Sequence, residues 1–260
     1  MAALAGAICC ASSLAVLGAA SAQATPTASG SSVSANPWGK PIEIPGIGAL
    51  EKGGGSFTNS ISCVSPGNCA AAGSYADAPD GTQGFVVSES KGHWGKAIAV
   101  PGLVALDKAR EVETIMISCG TAGKCAAGGT FLDAKDNEHA FVASEKNGTW
   151  GNAIEIPNLG TLNKGGNVDT VKVGCVSAGN CVAGGEYLTA PGEDSATRAF
   201  VASENKGAWG KATQLPGLST LNHGSSVINA ISCTQSGRCA ADGTYEARSG
   251  AEQGFVVSQK

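Results

Sequence analysis

Eight cysteines form four pairs with one internal spacing, C-x5-C, and thiols so arranged could bind a metal, exchange disulfides or cross-link the chain. The pairs are Cys63/Cys69, Cys119/Cys125, Cys175/Cys181 and Cys233/Cys239. Paired zinc ligands are usually separated by two to four residues, and redox catalysis favours C-x-x-C. The spacing therefore favours four structural disulfides over a metal or redox site. Such bonds persist in oxidising compartments.

Other residues with catalytic potential are few and scattered. His93, His139 and His223 fall at unrelated places, and no G-x-S-x-G motif marks a nucleophile. We therefore predict that the chain is not an enzyme. A glycoside or ester hydrolase is the less favoured alternative, and it would use His139 or the Asp133/Asp136 pair.

Two acidic loops carry a weak calcium signal, Asp77/Asp80 and Asp133/Asp136, each spaced Asp-x-x-Asp. The spacing of an EF-hand is absent. The sequence therefore predicts no cofactor, with calcium as the alternative.

The cysteine pairs belong to a fourfold repeat, which also contains a tryptophan segment. The segments are "WGKPIEIPGIGAL" at Trp38, "WGKAIAVPGLVAL" at Trp94, "WGNAIEIPNLGTL" at Trp150 and "WGKATQLPGLSTL" at Trp209. Stretches such as "SFTNSISC", "CAAAGSY" and "GFVVSES" read as strands separated by turn signals. No segment has a convincing helical period.

Four short strands in each of four units predict an all-β fold, a four-bladed β-propeller within a single domain, residues 37–260. The last unit ends at "GFVVSQK" and lacks a tryptophan strand, whereas the first tryptophan strand has no preceding unit. We therefore expect the N-terminal strand to complete the last blade and close the ring, which removes open sheet edges.

The turns before three tryptophans, "SESKGHW", "SEKNGTW" and "SENKGAW", resemble degenerate Asp-box (BNR-like) repeats of secreted bacterial β-propeller proteins. Such repeats lie between the third and fourth strands of a blade, as these turns do here. The resemblance implies propeller architecture. Its family includes sialidases and many non-enzymatic binding proteins, so it implies no single activity.

Antiparallel strands place the Cys hairpins and the Trp turns at one end of each blade, and the longer loops at the other end. Function usually lies on loops held by a scaffold, so the longer loops form the predicted binding face. One aromatic position recurs near that face, at Tyr75, Phe131, Tyr187 and Tyr245. These rings could stack on sugars or simply pack between blades.

A polar pair follows a repeated leucine near the same face. It reads Glu51-Lys52, Asp107-Lys108, Asn163-Lys164 and Asn222-His223. Around a fourfold axis these residues could form a ring that holds an ion or a small polar ligand. The alternative is a solvated loop with a helix-like turn capped by Asn or Asp.

The N-terminus has the composition of an export signal. Residues 1–22 are uncharged and mostly apolar and end in Ala20-Ser21-Ala22, which fits a signal peptide; residues 23–36 fit a flexible tail. We therefore expect a secreted, extracellular protein with no stable membrane insertion after signal cleavage. The net charge of −4 argues against a nucleic-acid partner.

These observations lead to one functional hypothesis and one main alternative. The hypothesis is an exported, non-catalytic, monomeric binding module that recognises extracellular or cell-envelope ligands such as glycans through the loop face. The alternative is an extracellular protein-interaction scaffold or inhibitor that acts through one variable loop.

Overall fold

The computed structural model describes residues 38–192, 195–234 and 237–260. The chain divides into two units, Met1–Pro41 and Ile42–Lys260. Residues 38–41 hold no helix or strand, and every element below belongs to the second unit. The predicted signal peptide and tail lie outside the described residues. No helix among the described residues is long and apolar enough to cross a membrane.

Four antiparallel sheets account for the strands. Sheet 1 holds β1 (Ser56–Ser65), β2 (Asn68–Ala78), β3 (Gly81–Ser90), β4 (His93–Trp94) and β5 (Ile98–Ala99). Sheet 2 holds β6 (Val112–Thr121), β7 (Lys124–Leu132), β8 (Glu138–Lys146), β9 (Thr149–Trp150) and β10 (Ile154–Glu155). Sheet 3 holds β11 (Val168–Ser177), β12 (Asn180–Leu188), β13 (Thr197–Asn205), β14 (Ala208–Trp209) and β15 (Thr213–Gln214). Sheet 4 holds β16 (Ser226–Cys233), β17 (Cys239–Glu246) and β18 (Glu252–Ser258).

The predicted Trp strands at Trp94, Trp150 and Trp209 are each two short strands separated by three residues, the first of which is glycine. The helical content consists of single turns: α1 (Ile47–Leu50), α2 (Leu103–Leu106), α3 (Leu159–Leu162) and a 3-10 turn, Leu218–Thr220. Each turn follows a proline and a residue with positive φ, as at Gly102 (φ 75°) and Asn158 (φ 69°). The first residue of each turn is buried and anchors the loop to the core.

Four disulfides join the cysteines in the pairs that the spacing predicts. They are Cys63–Cys69, Cys119–Cys125, Cys175–Cys181 and Cys233–Cys239. In every sheet the two cysteines lie directly opposite each other on the first two strands, with Cα atoms 3.9–4.0 Å apart. Each bond therefore fixes the register of a hairpin that also carries a tight turn.

The core lies between successive sheets. Phe85, Phe141 and Phe200 are fully buried at one repeated position. At each junction the first strand of a sheet packs on the face of the sheet before it. Glycines make room for this contact, since a Cβ at Gly84 would lie 2.3 Å from the Ile115 side chain.

The all-β architecture of four repeated sheets is confirmed, but closure of the ring is not. Sheet 4 has three strands, and residues 42–44 form no strand. In the described part of the chain, packed junctions join sheets 1 and 2, 2 and 3, and 3 and 4, and no junction of similar extent joins sheets 4 and 1. Completion of sheet 4 by the N-terminal strand is therefore not observed.

Candidate functional site

The turns of the Cys hairpins and the Trp hairpins lie at the same end of sheets 1, 2 and 3, as predicted. The Gly92 N–H donates to the Gly67 carbonyl over 2.9 Å, and the Gly148 N–H donates to Gly123 over the same distance. Sheet 3 repeats the bond between Gly207 and Gly179. We call this end the hairpin face and the opposite end the loop face.

Two-residue turns connect the third strand to the Trp strand. Both central residues have positive φ, as at Asn147 (54°) and Gly148 (77°), which is the geometry of type I′ turns. This turn brings Trp150 back beside the end of β8, where it pairs with Glu145. The sequence therefore holds each tryptophan close to the Ser-Glu dipeptide that precedes its turn.

A chain of side-chain hydrogen bonds links neighbouring sheets at this face. Ser88 of sheet 1 donates to Glu145 Oε1 of sheet 2 over 2.7 Å and accepts from Trp150 Nε1 over 3.4 Å. The next junction repeats the pattern. Ser144 donates to Glu204 over 2.6 Å and accepts from Trp209 over 3.0 Å.

The two glutamates in this chain are buried, and burial raises the pKa of each carboxyl. One oxygen of each, Oε2, is buried without a hydrogen-bond partner among the described residues. A neutral carboxylic acid fits such a site better than a carboxylate does. Each acid therefore connects two sheets through its Oε1 atom, and its Oε2 atom is inaccessible.

A groove between sheets 2 and 3 opens on the hairpin face, with a volume of about 1010 Å³. We call it the tryptophan groove. Its lining includes Trp150, Trp209, Asn152 and Asn180 and three lysines, Lys124, Lys146 and Lys206. Trp150 is buried, whereas Trp209 is partly exposed. An equivalent groove of about 480 Å³ lies between sheets 1 and 2.

The sequence does not predict this groove, because the longer and more variable loops lie at the opposite end of the sheets. A usable signal was present in the repeated Ser-Glu dipeptide before each Gly-x-Trp turn, at Ser88-Glu89, Ser144-Glu145 and Ser203-Glu204. Its recurrence marked side chains that meet across each junction. The depth of the groove, however, depends on how the sheets pack.

The repeated aromatic residues lie mainly inside the molecule. Tyr75, Phe131 and Tyr187 are buried, and Tyr245 is partly buried. The Tyr187 hydroxyl accepts a hydrogen bond of 2.8 Å from Gln214. A sugar needs an exposed ring face for stacking, so this placement favours packing, and a binding role for the four residues stays a prediction.

The repeated polar pairs do not converge on a common centre in contacts among the described residues. Asp107 is buried; its carboxylate accepts from Gln83 Nε2 over 2.5 Å and from the Glu111 N–H over 2.9 Å. Burial raises the pKa of Asp107. Asn163 is also buried and donates to the Glu138 carbonyl over 3.0 Å.

The other members of the predicted ring differ in environment. Asn222 is partly buried and accepts from the Gly224 N–H. Lys108, Lys164 and His223 are exposed. The geometry therefore supports the loop-capping alternative for Asp107 and Asn163, and ligand binding by the remaining residues is untested.

The acidic loops use their carboxylates locally. Asp133 accepts from the Lys135 and Asn137 backbone N–H groups and from the Asn137 amide, which holds its pKa well below the usual range. Asp77 pairs with Arg110. The described residues contain no group of three or more side chains suited to a metal ion, and calcium binding stays an untested expectation.

His139, the candidate for hydrolysis, lies between two carboxylates on the loop face. Its ring nitrogens approach Asp133 Oδ2 at 3.2 Å and Glu155 Oε1 at 3.1 Å, and the ring stacks on Phe131 with centroids 5.5 Å apart. The stacking gives the Phe131 ring a packing partner within sheet 2.

Sheets 2 and 3 also hold two acids with strongly raised pKa values that the sequence analysis did not single out. Burial raises the pKa of Glu138 and of Glu186 to about 7, helped by Glu113 for the former and Asp169 for the latter. Glu138 accepts from the Asn167 amide over 2.7 Å, whereas Glu186 Oε2 is buried and unpaired among the described residues. Neither acid lines the tryptophan groove or its equivalent between sheets 1 and 2.

Comparison with known proteins gives structural likenesses only. No family model matches the chain, and no curated protein matches it. Among solved structures, an α-L-arabinofuranosidase variant from Fusarium graminearum, in complex with an iminosugar inhibitor, is 9% identical with a TM-score of 0.40. The match covers 78% of this chain and 62% of that one.

Two further structures show similar likenesses. A subtype N11 neuraminidase-like protein of A/flat-faced bat/Peru/033/2010 is 14% identical, with a TM-score of 0.42. The match covers 80% of this chain and 62% of that one. A thermostable family-43 glycoside hydrolase is 8% identical, with a TM-score of 0.42 and coverage of 79% and 70%. This chain thus spans less than two thirds of the length of the first two proteins.

These results correct the predicted function. A non-catalytic binding module acting through the loop face is contradicted, because the similar structures include glycoside hydrolases. The prediction that the chain is not an enzyme is accordingly not confirmed. Membership of the Asp-box family is not shown either, since the likenesses are structural and remote.

Proposed function

We propose that this chain recognises a carbohydrate in the tryptophan groove. The observation that carries the proposal is the partly exposed Trp209 ring in a groove of about 1010 Å³ that also presents asparagine and lysine side chains. Ligand sites combine apolar or aromatic surface with a few polar groups that fix orientation. Sugars offer both an apolar ring face and hydroxyl groups to such a site.

The charge around the groove favours an acidic glycan. Lys124, Lys146 and Lys206 line it, whereas its two glutamates are buried and each accepts a hydrogen bond from a serine hydroxyl. A glycan bearing carboxylate or sulfate groups would therefore bind more tightly than a neutral one. Exposed charges are screened by salt, so this preference should weaken at high ionic strength.

The test is calorimetric titration with neutral and acidic oligosaccharides. We expect Trp209→Ala to weaken binding at least tenfold, and Trp94→Ala, at the equivalent position outside this groove, to leave it unchanged. Because Trp209→Ala also removes a junction hydrogen bond, Lys206→Glu provides a second variant on the surface. It should weaken binding of the acidic glycan several-fold, while Lys211→Glu, outside the groove lining, should not.

Absence of saturable binding to any glycan would overturn the proposal, as would equal binding by wild type and Trp209→Ala. Release of reducing sugar should be followed in the same samples. Turnover would add catalysis to recognition and would require an acid other than the inaccessible oxygens of Glu145 and Glu204.

We also propose that the chain acts in an oxidising, extracellular compartment. The four disulfides support this location, because such bonds are rare in reducing cytosol. Mass spectrometry of the exported protein should find an N-terminus at Gln23. A protein that stays inside the cell with residues 1–22 still attached would contradict export.

A further inference from the structure

At three junctions the first strand of one sheet packs on the sheet before it. Apolar side chains of that strand enter hollows at glycines: Ile115 at Gly84 on the third strand of sheet 1, and Val173 at Gly128 and Ile231 at Gly184 on the second strands of sheets 2 and 3. Each junction thus joins two surfaces: the first strand of one sheet and the face of the sheet before it.

Among the described residues, the first strand of sheet 1 has no sheet before it to pack on, and the face of sheet 4 has no first strand packed against it. On β1, Ile61 is 63% exposed, although its equivalent Ile117 is 5% exposed. On sheet 4, Val256 is 86% exposed, although its equivalents Val86 and Val142 are fully buried. We call these surfaces the head (residues 57–62 of β1) and the tail (the face of sheet 4 around Asp242 and Val256).

Head and tail also carry the polar groups that bridge the internal junctions. Ser62 accepts from the Cys119 N–H and Ser118 from the Cys175 N–H, both over 3.0 Å. Sheet 4 presents Ser232 at the same repeat position, and it is exposed. It could therefore accept from the Cys63 N–H of a sheet stacked on the tail.

The Trp-Ser-Glu linkage has the same unused ends. Ser258 of sheet 4 stands at the position of Ser88 and Ser144 and is exposed. Glu89 and Trp94 of sheet 1 stand at the positions of Glu145 and Trp150. A sheet 1 placed on the tail would let Ser258 donate to Glu89, as Ser88 donates to Glu145.

The substitutions peculiar to the two surfaces are complementary. The tail carries Asp242 where sheets 2 and 3 have Gly128 and Gly184. The head carries Asn59 where sheets 2 and 3 have Ile115 and Val171. The Val171 side chain lies against Gly128, so the Asp242 carboxylate would face the Asn59 amide donor in place of an aliphatic side chain.

We propose that the head of one chain stacks on the tail of a second copy of this chain, reproducing the internal junction between two molecules. Residues 42–43 of the second copy would then pair with β18, as Ile98–Ala99 pairs with Val86 and Phe85. A pair of copies that satisfies both ends forms a ring of eight sheets, within the range of known propellers.

The test is the mass of the oxidised full chain in solution, measured by light scattering over a range of concentrations. We expect a dimer. Ile61→Asp in the head and Val256→Asp in the tail should each yield a monomer, because every head-to-tail contact then contains one damaged surface. Val104→Asp on α2, outside both surfaces, should remain a dimer.

Mixing the variants distinguishes head-to-tail contacts from head-to-head or tail-to-tail contacts. The tail of the Ile61→Asp chain and the head of the Val256→Asp chain are intact, so an equimolar mixture should recover a heterodimer. Circular dichroism of each variant checks that it is folded.

A wild-type chain that is monomeric at every concentration would overturn the proposal. Closure of the ring within one chain predicts that result. A dimer that only one of the two variants disrupts would also overturn it, because that result indicates a head-to-head or tail-to-tail contact, which uses one surface twice. Failure of the mixture to associate, with both variants folded, would do the same.

Discussion

At the scale of single residues, two of the polar side chains that looked suited to a ligand, Asp107 and Asn163, hold neighbouring sheets together. Asp107 and Asn163 accept backbone N–H groups of the following loop and reach the third strand of the preceding sheet. A buried polar group has to be hydrogen-bonded, and these residues meet that requirement within the protein. Their recurrence reflects the repeated junction.

Substitution of Asp107 tests this structural role. Asp107→Ala leaves the buried Gln83 amide without its acceptor, so the free energy of unfolding should fall by roughly 1–3 kcal/mol. Chemical denaturation measures the loss. The exposed neighbour provides the control, since Lys108→Ala should change stability by less than roughly 0.5 kcal/mol. Unchanged stability of Asp107→Ala would contradict the assignment.

Glu186 predicts a dependence of stability on pH. Burial and Asp169 raise its folded-state pKa to about 7, so the folded protein binds more protons than the unfolded chain between its ordinary pKa and that value. This contribution to stability is fully present below the ordinary pKa. It is lost as the pH rises through about 7.

Thermal unfolding of Glu186→Gln at several pH values measures the effect. The melting temperature of the variant relative to wild type should rise between pH 5 and pH 8, reaching an excess of roughly 2–4 °C. Glu252→Gln, on the surface, provides the matched control. A difference between Glu186→Gln and wild type that does not change with pH would rule out this origin.

At the scale of elements, the hairpins are defined by glycine turns and disulfides. The two-residue turns before Trp94, Trp150 and Trp209 have positive φ at both central positions, and glycine occupies the second position each time. These turns aim the tryptophans at the preceding sheet. The Pro-Gly and Pro-Asn turns similarly set the direction of α1, α2 and α3.

Gly148→Ala isolates the backbone requirement of one such turn. Its φ is 77° and a Cβ there would meet nothing within 4 Å, so any loss of stability comes from backbone strain, roughly 1–2 kcal/mol. Denaturant titration gives the value. Gly151→Ala is the control, because Gly151 lacks positive φ and its Cβ would meet only Ser144 O at 3.4 Å. Equal losses in both variants would refute the turn argument.

At the scale of the whole molecule, stability comes from repeated contacts between sheets. Most side chains on the second strand of sheet 1 are small, and its alanines and glycine let the next sheet approach closely. Ile115 of that next sheet fills the hollow at Gly84. Close packing of this kind makes the junctions sensitive to lost volume. The same principle makes the uncovered head and tail suited to one another.

Truncation at one junction should show this sensitivity. Ile115 is fully buried, so Ile115→Ala should lower the free energy of unfolding by roughly 2–5 kcal/mol. Val104→Ala, at a side chain that is 54% exposed, should cost far less. A small loss at Ile115, measured by denaturant unfolding, would show that the junction relaxes around the vacancy.

The sequence by itself determined the repeat, the strands and the disulfides. Cysteine spacing, type I′ turn residues and alternating polarity act over a few neighbouring residues, so they can be read without coordinates. The same local rules correctly placed the Cys hairpins and Trp turns at one end of each sheet.

The tertiary structure decided which polar and aromatic residues are buried, where the grooves open and which faces stay uncovered. Tyr75, Asp107 and Glu145 each occupy a repeated position with a polar or aromatic side chain. All three are nevertheless buried by the packing of one sheet on the next. That packing joins residues about one repeat apart, as Ser88 and Glu145 are, and depends on the angle and spacing of two sheets. No local pattern encodes those quantities, so the tryptophan groove and the head and tail surfaces emerge only in three dimensions.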